Sequence, residues 1–395
     1  MKLSKTTTLL TLLLVLGLIV LRGRTLPNRL PNLTSSSDII KQALLPKSSS
    51  EGNLSKITLP PGFSIDYFSS NVPGARSLTL GREGKIVYVG TRSDTIYAVE
   101  DLDSDGKAER VVVIREDLDT PNGVAYLGGD LYVAEISRIL RFKNIDTTYT
   151  GNPDYEVVFD NLPKETHHGW KYIAFGPDNL LYVPVGAPCN VCSDQGKFAR
   201  ILRLNPLTGE AETFATGIRN TVGFDWHPDT KELWFTDNGR DLLGDDTPPD
   251  ELNRAPRSGL NFGFPGCHGV SVIDPTFGNS SSCTASTPPA IDLGPHVAAL
   301  GVHFYSGTMF PEEFKKKAII AEHGSWNRSA PIGYRLTTVD IERNIASNYK
   351  VFAEGWLENS KSWGRPVDTL VLNDGSLLVS DDQGNAIFRI TYRKP

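Results

Sequence analysis

Residues Gly217–Ala255 read GIRNTVGFDWHPDTKELWFTDNGRDLLGDDTPPDELNRA. Two apolar-alternating runs, VGFDW and ELWFT, flank the polar turn HPDTK, as in a β-hairpin with one buried face. In an antiparallel pair the entry of the first strand and the exit of the second lie at the same end. Arg219 and Asn220 precede the first run, and Asp237, Asn238, Gly239 and Arg240 follow the second. A cation, an amide and an acid are therefore delivered to one place.

The same unit recurs along the chain as ARSLTLGREGKIVYVG, GVAYLGGDLYVAE, YIAFGPDNLLYVPVG, VGFDWHPDTKELWFTD, GVHFYSGTMFPEEFKKKAIIAE and DTLVLNDGSLLVSDD. Third apolar runs follow, among them TIYAVE, RILRFK and ARILRLN. Most units are spaced by about 45 to 60 residues, and one longer interval holds Cys267 and Cys283. Repeats of this kind imply an all-β, six-bladed β-propeller with four-stranded antiparallel blades, spanning residues 58–395. A seventh blade hidden in the long interval is the alternative. A β-sandwich leaves six similar units unexplained. GFSIDYFSS, near residue 62, and the final AIFRITYRK are candidates to share the closing blade.

This topology sorts the polar residues. Arg76, Asn122, His167, His168, Arg219, Asn220, His296 and Arg365 stand just before inner strands. Arg92, Glu135, Asp237 to Arg240, Glu322, His323, Asp381 and Asp382 stand just after second strands. The opposite turns, such as GREG and GPDN, hold ordinary turn residues. Singly, each is a loop histidine, a bracing arginine or a turn. Together they converge on one mouth of the ring, where a concave polar site is the default active-site reading.

Net charge is −6 over 395 residues, which excludes a nucleic-acid or anionic-membrane surface. Lys2, Lys5 and the apolar run Leu9 to Leu21 make residues 1–24 a signal peptide or an uncleaved signal anchor, and 25–57 a linker. The expected location is secreted, periplasmic or extracellular, with the membrane met only through that anchor. In such a compartment the four cysteines read as two local disulfides, Cys189–Cys192 and Cys267–Cys283. The stretch Asp101-Leu-Asp103-Ser-Asp105-Gly106 opens like an EF-hand loop, but Val112 holds the twelfth position, so a solvated acidic turn is the first reading.

The motifs LPPGF, HHGWKYIAFGPDNLLYVPVG, the opening segment, HGSWNRSAPIGYR and GRPVDTLVLNDGSLLVSDD resemble the quinoprotein sugar dehydrogenases. That family comprises soluble glucose, aldose-sugar and sorbosone dehydrogenases and fungal pyranose dehydrogenase domains. The resemblance covers residues 58 to 393 and implies a six-bladed propeller that oxidises a sugar hydroxyl with pyrroloquinoline quinone (PQQ) and Ca2+. It makes His168 the general base and Arg219 the cation that stabilises the developing oxyanion. Asn220, Asn238, Trp326, Arg328 and Arg365 become cofactor contacts, and the carbonyls of Gly239 and Arg240 become calcium ligands. Asp250 or Glu251 is placed near the sugar or behind the calcium loop, and Arg76 on the substrate side. The implied partners are a sugar and a soluble or respiratory electron acceptor. The chain departs from the soluble glucose enzymes at Val222, where they have glutamine, and at Val367, where they have a second arginine. A calcium-dependent lactonase with Glu135, Asp237 and Glu322 as ligands, or a non-catalytic propeller binding a carbohydrate or protein, are the competing functions.

Overall fold

The computed structural model describes residues 53–193 and 196–395. The signal or anchor segment and nearly all of the linker lie outside the described residues. Six four-stranded antiparallel sheets follow one another along the chain, and together they form a six-bladed propeller. Blade 1 is Ala75–Leu80, Ile86–Thr91, Ile96–Glu100 and Arg110–Arg115. Blade 2 is Gly123–Leu127, Asp130–Ala134, Ile139–Phe142 and Glu156–Phe159. Blade 3 is Ala174–Phe175, Leu181–Val185, Arg200–Leu204 and Ala211–Thr216. Blade 4 is Phe224–Trp226, Leu233–Asp237, Pro249–Ala255 and Ile291–Pro295. Blade 5 is Ala299–Phe304, Ala318–Glu322, Arg335–Glu342 and Ile345–Glu354. Blade 6 takes Pro366–Val371, Leu377–Asp381 and Ala386–Tyr392 from the C-terminus. Its outer strand is Phe63–Ser69, paired antiparallel with Ala386–Tyr392, so the two segments named from the sequence do close the ring.

The second strands of blades 3 to 6 are buried along their whole length, those of blades 1 and 2 at all but their first residue, and their side chains pack into clusters between neighbouring blades. The first strands are forced close together around the axis. A Cβ on Gly223 would sit 2.3 Å from the Leu300 carbonyl oxygen, and one on Gly301 would sit 2.5 Å from Asp368 Oδ1. Only glycine permits that approach. Buried carboxylates staple blade to blade at the same depth. Asp368 accepts from Leu78 N across the closure at 3.0 Å, and Asp225 accepts from Phe304 N at 2.8 Å.

The long interval holds no seventh blade. Leu260–Asn261 adds to the edge of blade 3, Cys267–His268 and Val272–Ile273 form a small hairpin, and Ile291–Pro295 completes blade 4. Both expected disulfides are present. The Cys267–Cys283 loop is fastened to blade 4 through Asp274, which pairs with Arg240 at 2.6 Å and His268 at 3.0 Å.

Candidate active site

A cavity of about 570 Å³ opens at the mouth predicted from strand polarity. Its lining includes Arg76, His168, Arg219, Asn220, Asn238, Gly239, Asp250, Trp326 and Arg365, all named from the sequence. It also includes Arg92, Trp170, Asp241, His296, His323 and Asn327.

His168 sits in the left-handed region at φ +51°, an uncommon conformation for a non-glycine residue. Its Nδ1 lies 2.9 Å from the Ala187 carbonyl. A carbonyl only accepts, so Nδ1 carries the proton and the Nε2 lone pair is left available. Gly186 permits this pose, because a Cβ there would lie 2.6 Å from the His168 Cβ. Burial, then the positive charge of Arg219, pushes the imidazole down to about 2, so it is neutral throughout the physiological range.

Arg219 is buried and fully engaged. Nε donates to the Asn190 carbonyl at 2.8 Å, and Nη2 donates to Asn190 Oδ1 and Asp241 Oδ2, each at 2.9 Å. Nη1 donates to the Asn238 carbonyl at 3.1 Å. Asn190 lies inside the Cys189–Cys192 ring and also accepts from Asp241 N at 2.8 Å. Ala187, three residues before it, accepts from His168 and donates its N–H to the Arg219 carbonyl at 2.7 Å. The exit of the second strand of blade 3 thus ties the candidate base and the candidate cation together. Sequence reasoning missed Asn190 and Asp241. The short disulfide ring next to the strand exit was the available signal.

Behind this layer lie buried acids whose role is to hold backbone. Asp237 accepts from Arg219 N at 2.8 Å and Asn220 N at 2.6 Å. Asp381 does the same for Arg365 N at 2.9 Å. Asp250, expected to bind substrate, instead spends both oxygens on Gly239 N at 2.9 Å and Ala299 N at 3.1 Å, so it supports the 238–241 turn. Glu251 accepts from Gly269 N and Asn253. Glu135 and Glu322 pair with Arg138 and Arg335, so the three carboxylates that a lactonase-type site would need are committed inside the protein.

Other expectations shift as well. Arg328 does not reach the cavity; its guanidinium is taken by the Asp245 carbonyl and by Asp246. Trp326 stands at the rim, 71% exposed, while Trp170 lies deeper with Arg92 stacked 3.8 Å from its ring centre. The Arg240 side chain serves the disulfide loop. The carbonyls of Gly239 and Arg240 accept no hydrogen bond from any described residue. Asn327 donates to Asp241 Oδ1 at 2.9 Å. Val222 and Val367, the two departures, pack with Leu300 and Trp170 into one apolar floor. The lost polar groups are thus replaced together, by side chains that touch.

Cations exceed anions at the mouth. Arg76 is buried against Asp382 at 2.5 Å and Asn122 at 2.6 Å, and Asp382 also serves His323 at 2.8 Å. Among the described residues, the Arg365 guanidinium donates only to the carbonyls of His323 at 2.8 Å and Gly324 at 2.6 Å. Arg92 has no hydrogen bond or ion pair with any described residue.

The buried acids give stability a pH dependence. Burial pushes Asp381 up to about 7 and Asp250 up to about 6. The cross-strand pair Asp237 and Glu251 is raised first by burial and then by neighbouring carboxylates. The native state keeps protons that the unfolded chain has already released, so this contribution is lost as pH rises through the folded values. The depressed His168 and His323 act oppositely, but only below about 6.5, the ordinary histidine value. Between pH 6.5 and 7.5 the raised acids dominate, because the buried Lys171, pushed down to about 8, opposes them only as pH rises further, so the Tm of the cofactor-free protein should fall across that window. Asp381→Asn should flatten the fall; a flat or rising wild-type profile would contradict the protonated acids.

The fold and mouth define a six-bladed propeller with a cation-rich, half-apolar cavity. Residues 57–393 match the TrAA12-like family model, and the chain belongs to that family. An uncharacterized protein of Borreliella burgdorferi is 39% identical over 355 residues, covering 86% of this chain and 92% of that one. The iodide structure of Trichoderma reesei Carbohydrate-Active Enzymes Family AA12 superposes with a TM-score of 0.74 at 18% identity, over 85% of this chain and 98% of that one. The holo form of the pyranose dehydrogenase PQQ domain from Coprinopsis cinerea gives 0.71 at 17%, over 85% and 97%. The resemblance read from the motifs is therefore to the chain's own family.

Proposed function

We propose that the protein is an exported quinoprotein oxidoreductase that oxidises a hydroxyl of an aldose or related sugar, with PQQ and calcium held at the propeller mouth. The observation that carries this reading is the unanswered charge of Arg92 and Arg365 beside an apolar floor of Val222, Leu300 and Trp170. A neutral sugar leaves those cations without counter-charge, whereas a planar polycarboxylate suits both the arginines and the floor. Arg92, Arg365 and Arg76 would hold its carboxylates. The free carbonyls of Gly239 and Arg240, on a turn fixed by Asp250, suit a hard cation such as calcium. The related pyranose dehydrogenase domain is a PQQ domain, which favours the same cofactor. Two disulfides favour an oxidising compartment.

When bound, the quinone supplies the hydride acceptor and calcium a Lewis acid. The chain supplies the rest. His168 Nε2 takes the hydroxyl proton, its tautomer fixed by the Ala187 carbonyl. Arg219 keeps a fixed positive charge where negative charge develops, clamped so that little reorganisation accompanies reaction. Trp326 and His167 line the cavity, and there they would meet the sugar.

The test is reconstitution. Adding PQQ and CaCl2 to cofactor-free protein should shift the visible absorbance of the quinone, and a panel of aldoses should then reduce an artificial dye. Absence of both effects would end the dehydrogenase reading. Arg92→Ala should weaken PQQ binding about 10- to 100-fold, the worth of one charged hydrogen bond. Unchanged affinity would remove Arg92 from the cofactor site.

A further inference from the structure

The acidic turn 101–109 joins the third and fourth strands of blade 1, away from the mouth. Asp101, Asp103 and Glu109 each place a carboxylate oxygen so that all three lie within 4.8 Å of one another. Like charges this close repel, and such a group is not by itself a site. Asp101 adds an independent observation. It is only 8% exposed; its Oδ2 accepts from Gly106 N at 3.0 Å, and its Oδ1 is buried with no hydrogen-bond partner among the described residues. An ionised oxygen that is buried and unpaired is costly unless a cation meets it.

We infer that this turn binds a divalent cation, calcium by its chemistry, through Asp101, Asp103 and Glu109, with Asp105 beside them. The donors are all oxygen, with no histidine or cysteine, which selects a hard cation. Acids at the first, third and fifth positions and a left-handed glycine at the sixth, Gly106 at φ +85°, follow the calcium-loop spacing. Glu109 stands at the ninth position, so the absent acid at Val112 is no obstacle. The turn also grips the ring closure, because Ala108 N donates at 2.7 Å to the carbonyl of Phe68 in the closing strand. A cation here would therefore stabilise blade 1 against blade 6. The inference does not depend on the quinone reading.

Calorimetric titration of quinone-free protein with CaCl2 tests it, alongside the double variant Asp103→Asn/Glu109→Gln, whose two exposed side chains are removable without disturbing a core. Wild type should bind calcium in the range of about 0.1 to 1 mM usual for extracellular loops. Calcium at 10 mM should raise its Tm by about 2 to 5 °C relative to chelator. The double variant should keep its far-UV spectrum and lose one calcium equivalent together with that shift. Wild type without a calcium-dependent shift, or a variant that retains the whole of it, overturns the inference.

Discussion

Replacing His168 by alanine should lower kcat for dye reduction by about 100- to 10,000-fold, the usual contribution of a positioned general base, while PQQ affinity stays within about threefold. Among the described residues it is the only cavity-lining imidazole whose Nδ1 is capped by a main-chain carbonyl next to the Arg219 clamp. The neighbouring His167 is exposed, its ring tilted by 55° with 4.1 Å between ring centres, so it is close enough to offer a misleading residual activity. The double variant His167→Ala/His168→Ala separates that contribution. The depressed imidazole gives a second readout. With the base neutral well below pH 5, wild-type kcat/KM should show no acid limb with the ordinary histidine midpoint near 6.5. Full turnover in His168→Ala, measured with saturating quinone and calcium, would transfer the proton to another group.

Arg219→Lys should cost about 100- to 1,000-fold in kcat, the scale found when one preorganised charge stabiliser is removed. Lysine keeps the charge but not the fork, and four separate acceptors on Asn190, Asn238 and Asp241 are met by the fork. The acceptors that the fork no longer meets should lower stability as well, by about 1 to 3 kcal/mol, the cost of leaving a buried polar group unsatisfied. Asn190→Ala probes the clamp without touching the cation. If the Cys189–Cys192 ring positions Arg219, kcat should drop while KM changes little. Equal loss in both would mean the ring only shapes the binding surface.

Strand polarity was legible because alternation and Gly/Asp turns mark the first two strands of each blade, and those strands decide which polar residues reach the mouth. His168, Arg219, Asn220, Asn238 and Arg365 line the cavity for that reason. Side-chain commitment was not legible. Arg328 is drawn off by Asp245 and Asp246, more than eighty residues earlier. Asp250 faces backbone because its strand runs beside Gly239 and Ala299. Arg92 was placed at the mouth by its strand exit, but its stacking on Trp170 depends on two blades meeting. The outer strand of blade 4 could not be found by spacing, since a disulfide-bonded insertion of more than thirty residues precedes it.

Ring closure by Phe63–Ser69 also sets a timetable for synthesis. The strand is made early, yet the neighbour it pairs with, Ala386–Tyr392, emerges roughly three hundred residues later. At ribosomal rates of about 5–20 residues per second, that is a wait of roughly 15 to 60 s. During that time blades 1 to 5 can form locally, but both ends of the growing ring expose unpaired strand edges, the surfaces most prone to mispairing. A nascent chain of this protein therefore needs shelter for its edges until the strand Ala386–Tyr392 arrives.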